Sequence, residues 1–290
     1  MWYFDAIANS GHNVAVTDEN GSISVDKDTN VLKDEIVTIG NIVPDAGYTA
    51  ENLDLVVTRT GKDEAIAVTN NTFTMPGSNV TVKAVFKKIP AVAPTVEVND
   101  LNLEYGYTDN NTLTATVTDA DDTNYTYTYQ WYSSLDDTAA DGAKIAGATE
   151  STYTVGDKNA GTYYYYCTVT ATRKDNGEVA SASDIGIVNI AKKNIESITA
   201  AVIDPAPKKT AGENRNVIIP ANAKYIQSVD IVWKNSDNTP LAEDTAFEVG
   251  KQYTAVIVFK PISENYKFID TVPVTINDTA PQNIAVSGDG

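Results

Sequence analysis

Hydrophobic and polar residues alternate with a period of two along much of this 290-residue chain. Such alternation marks a strand with one face on a core and the other toward water. It is clearest in Val80-Thr-Val-Lys-Ala-Val-Phe86, in Tyr163 to Thr170 and in Tyr253 to Phe259. Each of these runs follows the same short phrase: an aromatic residue, a spacer, an apolar residue and a glycine-containing turn. The three copies open Phe73-Thr-Met-Pro-Gly77, Tyr153-Thr-Val-Gly156 and Phe247-Glu-Val-Gly250. Glycine reaches backbone angles that other residues adopt only with strain, so each turn can redirect the chain into its strand. Three successive β-modules are expected, each with this phrase near its end.

The first module spans residues 12–88. Val14 to Val16 and Ile23 to Val25, separated by Asn20-Gly21, predict a hairpin closed by a favoured turn pair. Ile36 to Ile39 and Leu53 to Thr58 are further strands, with a turn at Pro44-Asp-Ala-Gly-Tyr48 between them. Residues 89–94, with two prolines, predict an extended linker. In the second module, residues 95–190, Leu113, Ala115 and Val117 alternate, as do Tyr127, Tyr129 and Trp131. The alternation points Tyr163, Tyr165, Cys167 and Val169 inward, and Tyr164, Tyr166, Thr168 and Thr170 outward. Residues 190–194 link to a third module, residues 191–278, with strands at Ile198 to Val202, Val217 to Ile219, Val229 to Trp233, Tyr253 to Phe259 and Val272 to Ile276. Pro273 confines that last strand to an edge or a bulge. No segment keeps a helical period. The fold class is all-β, and residues 279–290 read as the opening of another module, so a segment of a longer chain is expected.

Several of these phrases carry a family resemblance. "Gly-Ser-Ile-Ser-Val-Asp" from Gly21, "Ile-Val-Pro-Asp-Ala-Gly-Tyr" from Ile42 and "Phe-Thr-Met-Pro-Gly-Ser-Asn-Val-Thr-Val" from Phe73 stand in the order of the divergent InlB B-type repeat of bacterial surface proteins, which residues 12–88 resemble. "Tyr-Gln-Trp-Tyr" at 129–132 and "Ala-Gly-Thr-Tyr" at 160–163 resemble bacterial immunoglobulin-like domains. That resemblance implies a core Trp131 between two sheets and a corner Tyr163 bonded back to the backbone. The inter-sheet disulfide is missing, since Tyr165 stands where antibody domains keep their second cysteine. The third module resembles a shorter sandwich of the same kind, with Trp233 placed 16 residues before Val249, much as Trp131 stands 24 before Val155. The expected core residues are thus Phe73, Trp131, Tyr163, Tyr165, Cys167, Trp233 and Tyr253.

Charge narrows the function. The net charge is −18, and no Lys/Arg cluster exists to neutralise phosphates, which argues against nucleic acid and anionic membranes. Residues 95–190 hold 15 acidic and 4 basic side chains, the most acidic of the three modules. No run approaches the roughly 20 apolar residues of a membrane span, and Met1 to Phe4 is too short for a signal peptide. One Cys and one His leave no triad, zinc spacing, phosphate loop or dinucleotide fingerprint, so no enzyme activity and no cofactor are expected. Cys167 is either a buried small hydrophobe or a reactive thiol. Asp119 to Asp122, and Asp136, Asp137 and Asp141, are either solvated loops or oxygen ligands outside the EF-hand order; no metal site is assigned.

Tyr132, Tyr164 and Tyr166 are the candidate ligand-binding residues, because outward tyrosines can stack on sugar rings; the alternative is that they stabilise the sheet. A monomeric, extracellular spacer of a bacterial cell-surface or wall protein is the expected function. The alternative is a module binding glycan or host protein, and an accessory region of a glycan-active enzyme stands behind both.

Overall fold

The computed structural model describes residues 10–138, 142–202, 209–213, 217–219, 225–277, 280 and 283–285. The expectations for Met1 to Phe4, for Asp141 and for most of 279–290 lie outside the described residues. Those described form strands and turns without a helix. The chain falls into two compact units. One holds residues up to Glu97 with 116–130 and 168–183, the other 98–115, 131–167 and the residues from Asp184 on. The division crosses the strands of the middle module.

The first module has seven strands: β1 (Val14–Glu19), β2 (Gly21–Val25), β3 (Ile36–Pro44), β4 (Tyr48–Arg59), β5 (Ala65–Ile66), β6 (Thr72–Thr74) and β7 (Val80–Lys88). They form one sheet in the order β1-β7-β4-β5 and another in the order β2-β3-β6. β7 shows why the alternation matters: Val80, Val82, Ala84 and Phe86 are buried and meet Val37, Ile39, Phe73 and Met75 in the core. The expected β1–β2 hairpin does not form. β1 pairs in parallel with β7, Val14 opposite Val80 through Glu19 opposite Val85, while β2 pairs with β3. Asn20, at φ 64°, turns the chain out of one sheet and into the other. A Cβ at Gly21 would stand 2.6 Å from the Phe86 ring, so the chain presses on the core at this corner. An Asn-Gly pair serves a sheet-changing corner as well as a hairpin, and composition alone does not separate them.

The middle module adds β8 (Val96–Val98), β9 (Leu101–Glu104), β10 (Thr112–Val117), β11 (Tyr125–Ser134), β12 (Ala143–Lys144), β13 (Thr152–Thr154), β14 (Gly161–Arg173) and β15 (Val179–Ala191). The sheets run β13-β10-β8 and β12-β11-β14-β15-β9, with β9 parallel to the end of β15. The repeated phrase therefore moves the chain from one sheet to the other, from β13 to β14 here as from β6 to β7 in the first module. Leu113, Trp131, Val155, Tyr165, Cys167 and Val169 are buried. The indole Nε1 of Trp131 donates to the Glu150 carbonyl at 2.9 Å, which satisfies its one polar atom.

Burial pushes the Tyr165 phenol up to about 12, with Tyr153 adding to the effect. In the unfolded chain the phenol ionises near 10, so its contribution is complete below that pH and is lost as pH rises toward about 12. Tyr165→Phe is therefore expected to flatten the alkaline fall in melting temperature between about pH 10 and 12. Thermal melts across that window check it, and an unchanged slope would remove the phenol from the account.

The third module contributes β16 (Lys193–Ile195), β17 (Ile198–Val202), β18 (Val217–Ile218), β19 (Ile226–Lys234), β20 (Thr254–Pro261), β21 (Tyr266–Phe268) and β22 (Val274–Ile276). Among the described residues these form three small sheets, β16-β21, β18-β17-β22 and β19-β20. Two clusters fill the interior, Ile195, Ile198, Ile226 and Val272 in one and Ala211, Ile231, Trp233 and Phe247 in the other. Pro273 lies just before the edge strand β22, and its carbonyl accepts from Ile198 N–H. Val249, expected to match the buried Val155, is 83% exposed; Phe247 fills the core instead, edge-on to Trp233 at 5.2 Å. Tyr253 is half-buried against Phe247.

The expected linker at 190–194 is mostly strand. β15 runs through Ala191, and β16 begins at Lys193, one residue later.

Candidate functional site

The tyrosine ladder comes first, because the sequence singled it out. Tyr132 and Tyr166 do meet: their rings stack with centroids 4.6 Å apart and planes 4° off parallel. The stack is not an open platform. Tyr166 is only 8% exposed, and the backbone at Gly142 lies so close over its ring that a Cβ there would stand 2.1 Å away. Tyr166, expected to be outward and open, is thus buried under its neighbours, a correction that period-two alternation cannot anticipate. Tyr132 and Tyr164 remain half-buried. Flanking them on β14 and β15, Thr168 pairs with Ser183 and Thr170 with Ser181, each at 2.8 Å. These are cross-strand contacts of the sheet-stabilising kind.

Among the expected core residues, Phe73, Trp131, Tyr165, Cys167 and Trp233 are buried. Tyr163 is half-buried, a correction to its inward reading. Its hydroxyl donates to the Asn159 carbonyl at 3.0 Å, so the ring must reach the surface to make the corner bond. The acidic clusters serve as turn caps. Asp119 accepts from Thr95 N–H and Oγ1, Asp121 from Thr123, Asn124 and the Asn124 amide, and Asp136 from Thr138. These hydrogen bonds hold all three carboxyls below the usual range. Among the described residues no group of three or more His, Cys, Asp or Glu could hold a metal ion. No described helix is long and apolar enough to cross a membrane.

What the sequence did not reveal are the joints between modules. In the first unit, the turn between β14 and β15 reaches the first module. Asn176 Nδ2 donates to the Gly47 carbonyl at 2.7 Å and to the Ile89 carbonyl at 2.8 Å. Its Oδ1 accepts from Glu178 N–H at 2.9 Å, which fixes the amide. Ile89 N–H donates to the same Gly47 carbonyl. Arg173 grips Asp175 through two hydrogen bonds, of 3.0 and 2.6 Å, and this pairing draws the Asp175 carboxyl below its ordinary value. Tyr125 supplies its hydroxyl to Val92 N–H at 3.3 Å. Lys88 and Glu178 form an ion pair at 3.4 Å, exposed and so of small weight.

A second joint lies within the second unit. Asn265, in the turn before β21, donates Nδ2 to Asn159 Oδ1 at 3.0 Å and accepts Ala160 N–H at 2.8 Å. Its backbone carbonyl accepts Lys193 N–H. Next to it, the rings of Tyr266 and Tyr105 meet nearly at right angles at 5.4 Å, and Tyr266 stacks on Tyr225 at 4.6 Å. Asn176-Gly177 is visible in the sequence as a turn signal, but a turn signal does not say what the asparagine touches.

The first module places its residues in the order the sequence phrases gave, and a family comparison agrees with it. Residues 12–90 match the family model of the divergent InlB B-repeat domain. No curated protein matches the chain. Among solved structures it is similar to the FN1–FN3 domains of chicken CNTN1, at 10% identity over 85% of this chain and 88% of that one, with a TM-score of 0.23. It is also similar to a SusE-like surface-located polysaccharide-binding protein of Bacteroides thetaiotaomicron, at 12% identity, 79% and 42% coverage and a TM-score of 0.27. A third is BcpA, the major pilin subunit of Bacillus cereus, at 10% identity, 94% and 99% coverage and a TM-score of 0.22. The InlB B-repeat match, followed by further β-modules, is consistent with a surface-protein module.

Proposed function

We propose that this chain is a non-catalytic spacer of an extracellular bacterial protein, attached to the cell surface or wall, which presents other domains. The observation that carries this reading is the pair of joints. A spacer works by keeping its modules in fixed succession. Here Asn176 ties the middle module to the backbone of the first at Gly47 and Ile89, and Asn265 ties the third module to the Asn159 side chain and the Ala160 backbone of the middle one. The InlB B-repeat match at residues 12–90 supports the surface setting. Partners in that setting are cell-wall or host glycans or extracellular proteins, and the chain acts as a monomer.

A hydrogen bond contributes about 0.5–1.5 kcal/mol net, and the joint bonds of Asn176 are part-buried while one of the two at Asn265 is exposed. Removing both asparagine side chains, Asn176→Ala with Asn265→Ala, is expected to loosen the succession while the modules stay folded. Hydrogen exchange should find the Ala160 N–H, which donates to Asn265 Oδ1, and the Ile89 N–H, beside Asn176, protected in the parent and several-fold less protected in the double variant. If both amides exchange as fast in the parent as in the variant, the joints are not held and the spacer reading loses its basis.

A further inference from the structure

A cleft of about 340 Å³ opens beside the second joint, lined by Tyr105, Asp157, Lys158, Asn159 and Tyr163. From this cleft we infer a second role: a subsite for one ring of a neutral oligosaccharide. Its volume falls at the small end of ligand pockets, and it is shallow, which suits a unit within a sugar chain. Two half-buried tyrosines supply aromatic surface for the C–H face of a sugar. Three consecutive exposed polar side chains, a carboxylate, an ammonium and an amide, supply acceptors and donors for its hydroxyls.

The polar loop is fixed in advance, which lowers the cost of binding. The Tyr107 hydroxyl donates to the Gly156 carbonyl, the Tyr163 hydroxyl to the Asn159 carbonyl, and Asn265 holds Asn159 and Ala160. Tyr105 is steadied by Tyr266 and by its own N–H on the Ala191 carbonyl. Asp157 is left without a hydrogen bond or ion pair among the described residues, and Lys158 lies 5.5 Å from the Tyr163 ring centre without a carboxylate partner. Neutrality of the ligand follows from charge. The module around the cleft holds 15 acidic against 4 basic side chains, a field that repels an acidic glycan.

The test titrates the 290-residue protein with cellotetraose, mannotetraose and chitotetraose, and with a hyaluronan tetrasaccharide as the acidic counterpart, by calorimetry and protein NMR. At least one neutral probe is expected to bind with a Kd between about 10 µM and 1 mM. Tyr105→Ala should weaken it about tenfold. Asp157→Asn, a change at an exposed side chain that leaves the fold intact, should weaken it several-fold. Tyr164→Ala should leave it unchanged. The inference is overturned if no neutral probe binds at millimolar concentration, if both cleft variants bind as the parent does, or if hyaluronan binds best.

Discussion

Trp131→Ala is expected to destabilise the middle module by about 3–5 kcal/mol, enough to unfold it in part at ambient temperature. The indole is fully buried, so its removal leaves a cavity that the surrounding strands close only in part. Its loss also strands the Glu150 carbonyl, which accepts the indole N–H, and unseats Tyr153, whose ring lies 5.9 Å from the indole and 5.4 Å from Tyr165. No disulfide joins the sheets, because Cys167 is the one cysteine in the chain. Packing alone holds the core. Cys167 is itself buried, so its reaction with a thiol reagent reports opening of this module. The parent should react only as urea unfolds it, and the variant at much lower urea. Trp131→Phe, which keeps a ring, should fall between them. An unfolding free energy for Trp131→Ala within about 1 kcal/mol of the parent would mean that the indole is not the centre of the core.

Gly47→Ala is expected to open the joint of the first unit and leave the modules on either side folded. Gly47 sits at φ 83°, where an L side chain costs about 1–2 kcal/mol. Its added Cβ would also stand 2.8 Å from Asn176 Cβ and 2.9 Å from the Asp175 carboxyl carbon. Both belong to short side chains of a turn fixed by Arg173, so the turn must withdraw, and Asn176 then loses the Gly47 carbonyl. Hydrogen exchange reads this directly at Ile89, whose N–H donates to the same carbonyl. Protection there should drop more than about tenfold, the equivalent of 1.4 kcal/mol. Gly61→Ala separates strain from collision, because Gly61 has φ 77° but nothing within 4 Å of an added Cβ. It should cost similar strain and leave Ile89 protected. Unchanged protection in Gly47→Ala would show that the turn does not depend on that close approach.

The contrast between Trp131 and Asn176 shows how far the sequence could be read. Tyr165 and Cys167 are legible by alternation, since one face of a strand either meets a core or does not, and Trp131 by the family resemblance of its Tyr-Gln-Trp-Tyr phrase. The InlB B-repeat phrases at residues 12–88 were legible as ordered motifs, and the family comparison covers nearly the same span. Contacts made by polar side chains over long separations were not legible. Asn176 bonds to a residue 129 positions away and Asn265 to one 106 positions away, and neither leaves a local pattern. The same limit explains Tyr166, which alternation points outward but which is buried, because its cover at Gly142 comes from a loop without periodicity. Val249 and the corner at Asn20 misled for a related reason: a shared phrase fixes the local turn, not the sheet or the core that receives it.

The parallel pairing of β1 with β7 gives the first module a mechanical character. The same holds for β9 with β15 in the middle module, and for β16 with β21 and β17 with β22 in the third. In each case an early strand of a module lies alongside a late one and points the same way. Tension applied through the chain pulls such partners in opposite senses along their own length. The hydrogen bonds between them then bear shear together, where an antiparallel hairpin would open them one after another. A module clasped in this way resists until the whole ladder slips, and the rate of that event, more than its equilibrium stability, governs survival under pull.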